Sequence, residues 1–329
     1  MGTASIFSPN FGTRFLLSVD TEEEFEWGKG FARDAHGTTA VPAMRDGQAF
    51  FARAGVAPLY FVDYPIARSD VAIDILGPAA EAGQAHIGVH LHPWVTPPFS
   101  EQVSTRNSYA GNLPEAIERA KLVAVRDELA TRFGKAPVAY RAGRYGIGPN
   151  TLQILADEGF RCDSSVRANF DYRNDGGPDF TRQGLHPHWT GPCDTILELP
   201  LTSVMTGFVS HLGCGAFRHA GKLPFARSLL ARSGALERIA VTPEGTPAAR
   251  ACEAIDLAQD RGVRLISMSF HSPSLAPGYT TYVKTKSDLA NFYGWFDTVF
   301  DHCAKRGITA APLDDVLADA DAVKLQAAS

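Results

Sequence analysis

The segment Leu113–Ala142, LPEAIERAKLVAVRDELATRFGKAPVAYRA, contains the unit from which the chain is built. Ile117, Ala120, Leu122, Val123, Val125, Leu129 and Phe133 keep a helical spacing, and Gly134 stops the helix. A short polar step then leads into Val138–Ala142, which reads as a strand. The same order extends in both directions. Strands are predicted at Phe15–Asp20, Leu59–Tyr64, His86–His92, Cys162–Val166, Ile196–Leu201, Leu265–His271 and Ile308–Pro312, and helices at Pro149–Glu158, Thr246–Arg261 and Ser287–Arg306. The strand runs are almost continuously apolar, as strands covered on both faces must be. Each helix, glycine, step and strand is the sequence form of a right-handed crossover. Repeated through one chain, such units favour an α/β fold closed as a TIM-barrel-like (β/α) barrel, with a doubly wound open sheet as the other reading. No shift in composition marks a linker, so residues 1–329 are expected to form one domain with a long loop inserted near 167–195, rich in Gly, Pro, Asp and His.

Composition narrows the function. Of 329 residues, 45% are hydrophobic and 20% charged, which excludes a disordered chain. A net charge of −5 gives no general attraction for phosphate backbones, so nucleic acid is not an expected partner. No apolar run is long enough for a membrane helix. The first residues lack the basic start and apolar run of an export signal, so the expected location is cytoplasmic. Cys162, Cys193, Cys214, Cys252 and Cys303 are scattered, never in C-x-x-C pairs, and are expected to be small buried apolar residues.

In a parallel barrel, chemistry gathers where the strands end. The first predicted strand ends in Asp20-Thr21-Glu22, the third in His90-Leu91-His92-Pro93-Trp94, the fourth in Arg141-Ala142-Gly143-Arg144-Tyr145-Gly146, the fifth in Asp163-Ser164-Ser165 and the seventh in His271. Residues two apart on a strand face the same side, so His90 and His92 can aim at one ion, and Asp20 and Glu22 share a face. One carboxylate would then bind metal and the other act as base. Imidazole and carboxylate donors without thiolate suit a divalent ion, zinc above all, in an open catalytic site. Trp27 and Trp94, beyond two strand ends, are candidates for a flat substrate platform. Arg218, His219, Lys222 and Arg227 form a modest basic stretch.

These motifs, in this order from about Phe15 to about Val316, resemble those of the polysaccharide deacetylases, the NodB-homology group of carbohydrate esterase family 4. The resemblance implies a distorted (β/α)7-type barrel and metal-dependent removal of an N-acyl group from a sugar or related small amide. It implies Asp20 as general base, Glu22 as metal-binding carboxylate and His90 as first imidazole ligand. Arg141 would hold Asp20 ionised, His271 would be the general acid, and Asp163 its acidic partner. The family's second histidine usually lies four residues after the first, a position held here by Trp94. His92 is the natural replacement, and His86 competes. A backbone N–H at the Tyr145-Gly146 turn would face the oxyanion, and Leu199 would line the acyl pocket. Two other readings stay open: a metallo-amidohydrolase or phosphoesterase barrel, and a degenerate barrel that binds a glycan without cleaving it. An acylated, sugar-linked small molecule is the expected partner, and a homo-oligomer is left open.

Overall fold

Strand β1 (Arg14–Thr21) shows how the sequence builds the molecule. Phe15, Leu17 and Val19 join the core shared with the helices, whereas Leu16 joins a second core that also holds Phe61, Ala139, Leu197, Leu199 and Leu265. Period-two alternation thus sends one set outward under the helices and the other inward. Going up the inward face of β1, Leu16 gives way to Ser18 and then to Asp20, all buried. The barrel interior is therefore apolar at its floor and polar at its carboxyl rim.

The computed structural model describes residues 6–24, 30–209, 217, 225, 229–230 and 233–328. Parallel to β1 run β2 (Leu59–Val62), β3 (His86–Leu91), β4 (Ala139–Ala142), β5 (Cys162–Asp163), β7 (Ile196–Glu198), β10 (Leu265–His271) and the short β11 (Thr309–Ala310). The strand order is β10-β1-β2-β3-β4-β5-β7, with β6 (His188–Thr190) added antiparallel to β7 and β11 lying against β1. The sheet curls until Thr202, just past β7, donates its N–H to the Ser267 carbonyl of β10 at 3.1 Å. The doubly wound alternative is thereby set aside in favour of a distorted, incompletely closed barrel.

Helices α1 (Met44–Arg53), α2 (Tyr64–Ala67), α3 (Asp70–Glu81), α4 (Glu115–Phe133), α5 (Thr151–Asp157), α6 (Ala248–Asp260) and α7 (Lys286–Lys305) follow successive strands. Gly134, left-handed at φ 70°, ends α4 as the sequence indicated. The last helix, α8 (Leu313–Ala328), packs Leu313, Val316, Leu317 and Ala320 with Phe7 and Phe11 in the inner core, well away from the rim.

Several features depart from expectation. Helices α1, α2 and α3, between β1 and β3, are not among those the sequence predicted; α1 holds Gly47 and α3 holds Pro78, residues that weaken a helical pattern. The segment after β7 forms an antiparallel hairpin, β8 (Ser203–Thr206) with β9 (Glu237–Ala240), instead of another crossover. Cys193 is exposed rather than buried. Trp27, Cys214, Arg218, His219, Lys222 and Arg227 lie outside the described residues. No described helix is long and apolar enough to cross a membrane.

Candidate active site

Parallel register brings distant residues level at the rim. Asp20 pairs with His271 across β1 and β10, His90 with Arg141 across β3 and β4, and Asp163 with Glu198 across β5 and β7. Three donors then converge. Glu22 Oε2 lies 3.5 Å from His90 Nε2 and 3.4 Å from His92 Nε2, and all three residues are buried. The other ring nitrogens are already engaged: His90 Nδ1 by the Arg141 carbonyl at 3.0 Å and His92 Nδ1 by Glu23 Oε2 at 2.7 Å. With both Nδ1–H groups donating to these acceptors, the Nε2 lone pairs face Glu22. That is the donor set a small divalent ion needs. Burial depresses the basicity of His92 against the pull of Glu22 and Asp63, which keeps the ring neutral.

His92 is held on two further sides. Trp94 stacks on it at 4.2 Å between ring centroids and donates its indole N–H to Glu23 Oε1 at 2.8 Å. Gly143 passes so close that a Cβ there would collide with the His92 ring and the Leu91 carbonyl. Behind Glu23 stands Asp63, whose Oδ2 accepts the Glu23 backbone N–H at 2.8 Å. Burial pushes the Glu23 carboxyl up to about 7 and raises Asp63 well above its usual range, so this pair keeps protons.

Asp20 is treated differently. Burial alone would raise it, but Arg141 bonds its Oδ1 and the charge of His271 adds positive field, so its carboxyl falls to about 2. Arg141 is itself fully buried. It also donates to the Ser164 carbonyl at 2.8 Å, Ser164 Oγ at 2.8 Å and Ser18 Oγ at 2.9 Å, and it lies over the Phe61 ring. His271 Nε2 sits 3.8 Å from Asp20 Oδ2, and its Nδ1 is bonded to Glu244 Oε2 at 2.6 Å. Burial disfavours the His271 cation, yet the carboxylates of Glu244, Glu22 and Asp20 outweigh it and lift the ring to about 10.

The remaining candidates are placed elsewhere. The carboxylate on His271 Nδ1 is Glu244, not Asp163; Asp163 Oδ1 instead accepts from the Ser165 N–H and hydroxyl, and burial raises its carboxyl to about 6 beside Glu198. His86 lies at the opposite end of β3, 3.8 Å from Asp314, and is no rival to His92. Trp94, 2% exposed, is a prop for His92 and not an open platform. The Gly146 N–H is taken by the Gly143 carbonyl at 3.1 Å, which leaves it no free donor for an oxyanion. Tyr145, buried at the same turn, follows Arg144, and both have positive φ, 60° and 54°. Leu199 is fully buried in the inner core.

Three participants escaped the sequence reading. Asp63 directly follows β2 just as Asp20 nears the end of β1, and that shared pattern was a usable signal. Glu23 follows Glu22 and turns away from it, so a search for co-facial pairs passes over it. Glu244 sits in the turn after β9, a hairpin the sequence did not reveal.

The chain matches no family model, and no curated protein matches it by sequence. Solved structures do. A protein assigned as a polysaccharide deacetylase from Mycobacterium smegmatis superposes with a TM-score of 0.55 at 17% identity, over 99% of this chain and 96% of the other. The fold is that of the polysaccharide deacetylases. A second such protein, from Pseudomonas aeruginosa PAO1, gives a TM-score of 0.52 at 15% identity, over 96% and 94% of the two chains. Puue allantoinase gives 0.55 at 14% identity, over 97% and 93%. At such identities the likeness concerns the polysaccharide-deacetylase fold alone. The residue-level reading rests on the rim geometry.

Proposed function

We propose that the chain is a metal-dependent hydrolase that removes an N-acyl group, acetyl above all, from a sugar or related small amide. The observation that carries this reading is the convergence of the Glu22–His90–His92 donors beside the in-register Asp20–His271 pair. Glu22, His90 and His92 would hold the ion, zinc by the nature of the donors. A carboxylate held at about 2 is a weak base, so it needs a water already made acidic, and that acidity, with polarisation of the acyl oxygen, is what a bound divalent ion supplies.

Asp20, kept ionised and aimed by Arg141, accepts a proton as water adds to the acyl carbon. His271, kept protonated by Glu244, delivers its proton to the departing nitrogen as the C–N bond breaks. Carboxylic acid and free amine result. The two groups divide base and acid between them because Arg141 lowers one pKa and Glu244 raises the other.

The direct test is release of acetate from a panel of N-acetylated sugars. Since Puue allantoinase shares the fold, the panel includes a small non-sugar amide. Activity that vanishes on chelation and returns with zinc supports the reading. Unchanged turnover after complete chelation contradicts it.

A further inference from the structure

Arg167 stands at the rim without a counter-charge. It lies on the continuation of β5, bridged to Leu201 on the continuation of β7, one residue after Val166, whose N–H donates to Glu198. Its guanidinium is stacked 3.9 Å from the Phe170 ring centroid and 5.2 Å from that of Tyr145, and it donates to the Tyr172 hydroxyl at 3.3 Å. Among the described residues no carboxylate lies within 4.0 Å of it. Other cations near the rim do have one: Arg141 has Asp20, Arg144 has Asp175 and Lys121 has Glu101.

A guanidinium offers five N–H donors, and a half-buried one whose single neutral partner is a phenol leaves most of them unused. Withdrawing such a cation from water without an anion is unfavourable, and a planar fork suits a carboxylate or phosphate. The turn after β4 links it to the reaction centre: Tyr145, whose ring lies 5.2 Å from the Arg167 guanidinium, is two residues from Gly143, which abuts the His92 ring. Glu244 does not neutralise Arg167, because it is already committed to His271 and to the Ser274 hydroxyl at 2.6 Å.

We propose that Arg167 anchors an anionic group on the substrate, so that the amide cleaved beside Asp20 and His271 belongs to an acidic sugar bearing a carboxylate or a phosphate. The inference rests on the hydrolase reading for the identity of the reaction, but the anion site is testable without turnover. Glucuronate, glucose 6-phosphate and glucose, none of which carries an amide, are titrated calorimetrically into the full zinc-loaded chain and into R167Q and R167K. The wild-type chain is expected to bind at least one acidic sugar about tenfold to a hundredfold more tightly than glucose, the range for a charged hydrogen-bonded contact. The tighter of the two acids identifies the anion. R167Q should erase the preference and R167K should keep part of it. Equal affinity of the wild-type chain for all three sugars overturns the proposal, as does a preference that survives in R167Q. A misfolded R167Q leaves the wild-type comparison and R167K to decide. An acidic preference with no hydrolysis of any N-acetyl sugar or small amide in the panel would instead uphold the anion site and remove the hydrolase reading.

Discussion

Two histidine–glutamate pairs stand at the rim with nearly the same contact. Nδ1 of His92 meets Glu23 at 2.7 Å and Nδ1 of His271 meets Glu244 at 2.6 Å. Their charge states are opposite. His92 is almost wholly buried, and its partner Glu23, raised to about 7 by burial and by the charge of Glu22, is a weak counter-charge, so the imidazole stays neutral and offers a lone pair. His271 has a side chain 30% exposed and faces three carboxylates, and it stays protonated to about 10. The lesson is that a carboxylate beside a histidine does not by itself make a cation. What decides is how much water remains and whether that carboxylate is itself free to ionise.

The largest expected effect separates the two rings. H92A should lose zinc, read by elemental analysis of dialysed protein, and all activity with it. H271A should keep its zinc and lose about a hundredfold to ten-thousandfold in kcat. Loss of zinc from both variants would erase the distinction. R141M comes next, since it strands Asp20 as a buried charge: a drop of about 3–5 kcal/mol in urea-melt stability is expected, together with loss of turnover. E23Q should weaken zinc affinity by about tenfold to a hundredfold, measured against a competing chelator, because it leaves one acceptor oxygen for the two donors, His92 Nδ1–H and the Trp94 indole N–H, that Glu23 serves. E244Q should leave zinc affinity unchanged and move the alkaline limb of the pH–rate profile to lower pH, since the charge that keeps His271 protonated is gone.

The smallest effect is on stability. A carboxyl whose folded pKa lies above its unfolded value of 4.5 binds an extra proton in the folded state, so stability falls as pH rises from there through about 7. Zinc-free wild-type protein should therefore lose up to about 1.4 kcal/mol per pH unit in that window, and E23Q should show a flatter profile. His271 has the same sign in a higher window: its contribution is complete below its unfolded value near 6.5 and fades as pH climbs towards about 10.

Much of this was legible in the chain. The alternation of Leu16, Ser18 and Asp20 with Phe15, Leu17 and Val19, the glycine after α4 and the H-x-H at the end of β3 are local patterns, and the barrel follows from their repetition. The partners of the histidines were not. Glu23 and Asp63 meet His92 from the ends of β1 and β2, and Glu244 reaches His271 from a hairpin no periodicity announces. Such contacts depend on barrel curvature and strand register, which single-strand patterns do not encode. Trp94 was misread for a related reason: a large aromatic beyond a strand end suits a sugar face or a packed ring equally well, and only the His92 stack distinguishes them.

His92 belongs to two groups that could hold an ion, one with Glu22 and His90 through Nε2, the other with Glu23 and Asp63 through Nδ1. The Trp94 N–H pointing at Glu23 disfavours a cation in the second. Anomalous diffraction at the zinc edge on zinc-soaked crystals decides between them. A single peak bonded to Glu22 and the Nε2 atoms of His90 and His92 is the expected result. A peak among Glu23, Asp63 and His92 Nδ1, or no peak at the rim at all, would contradict it.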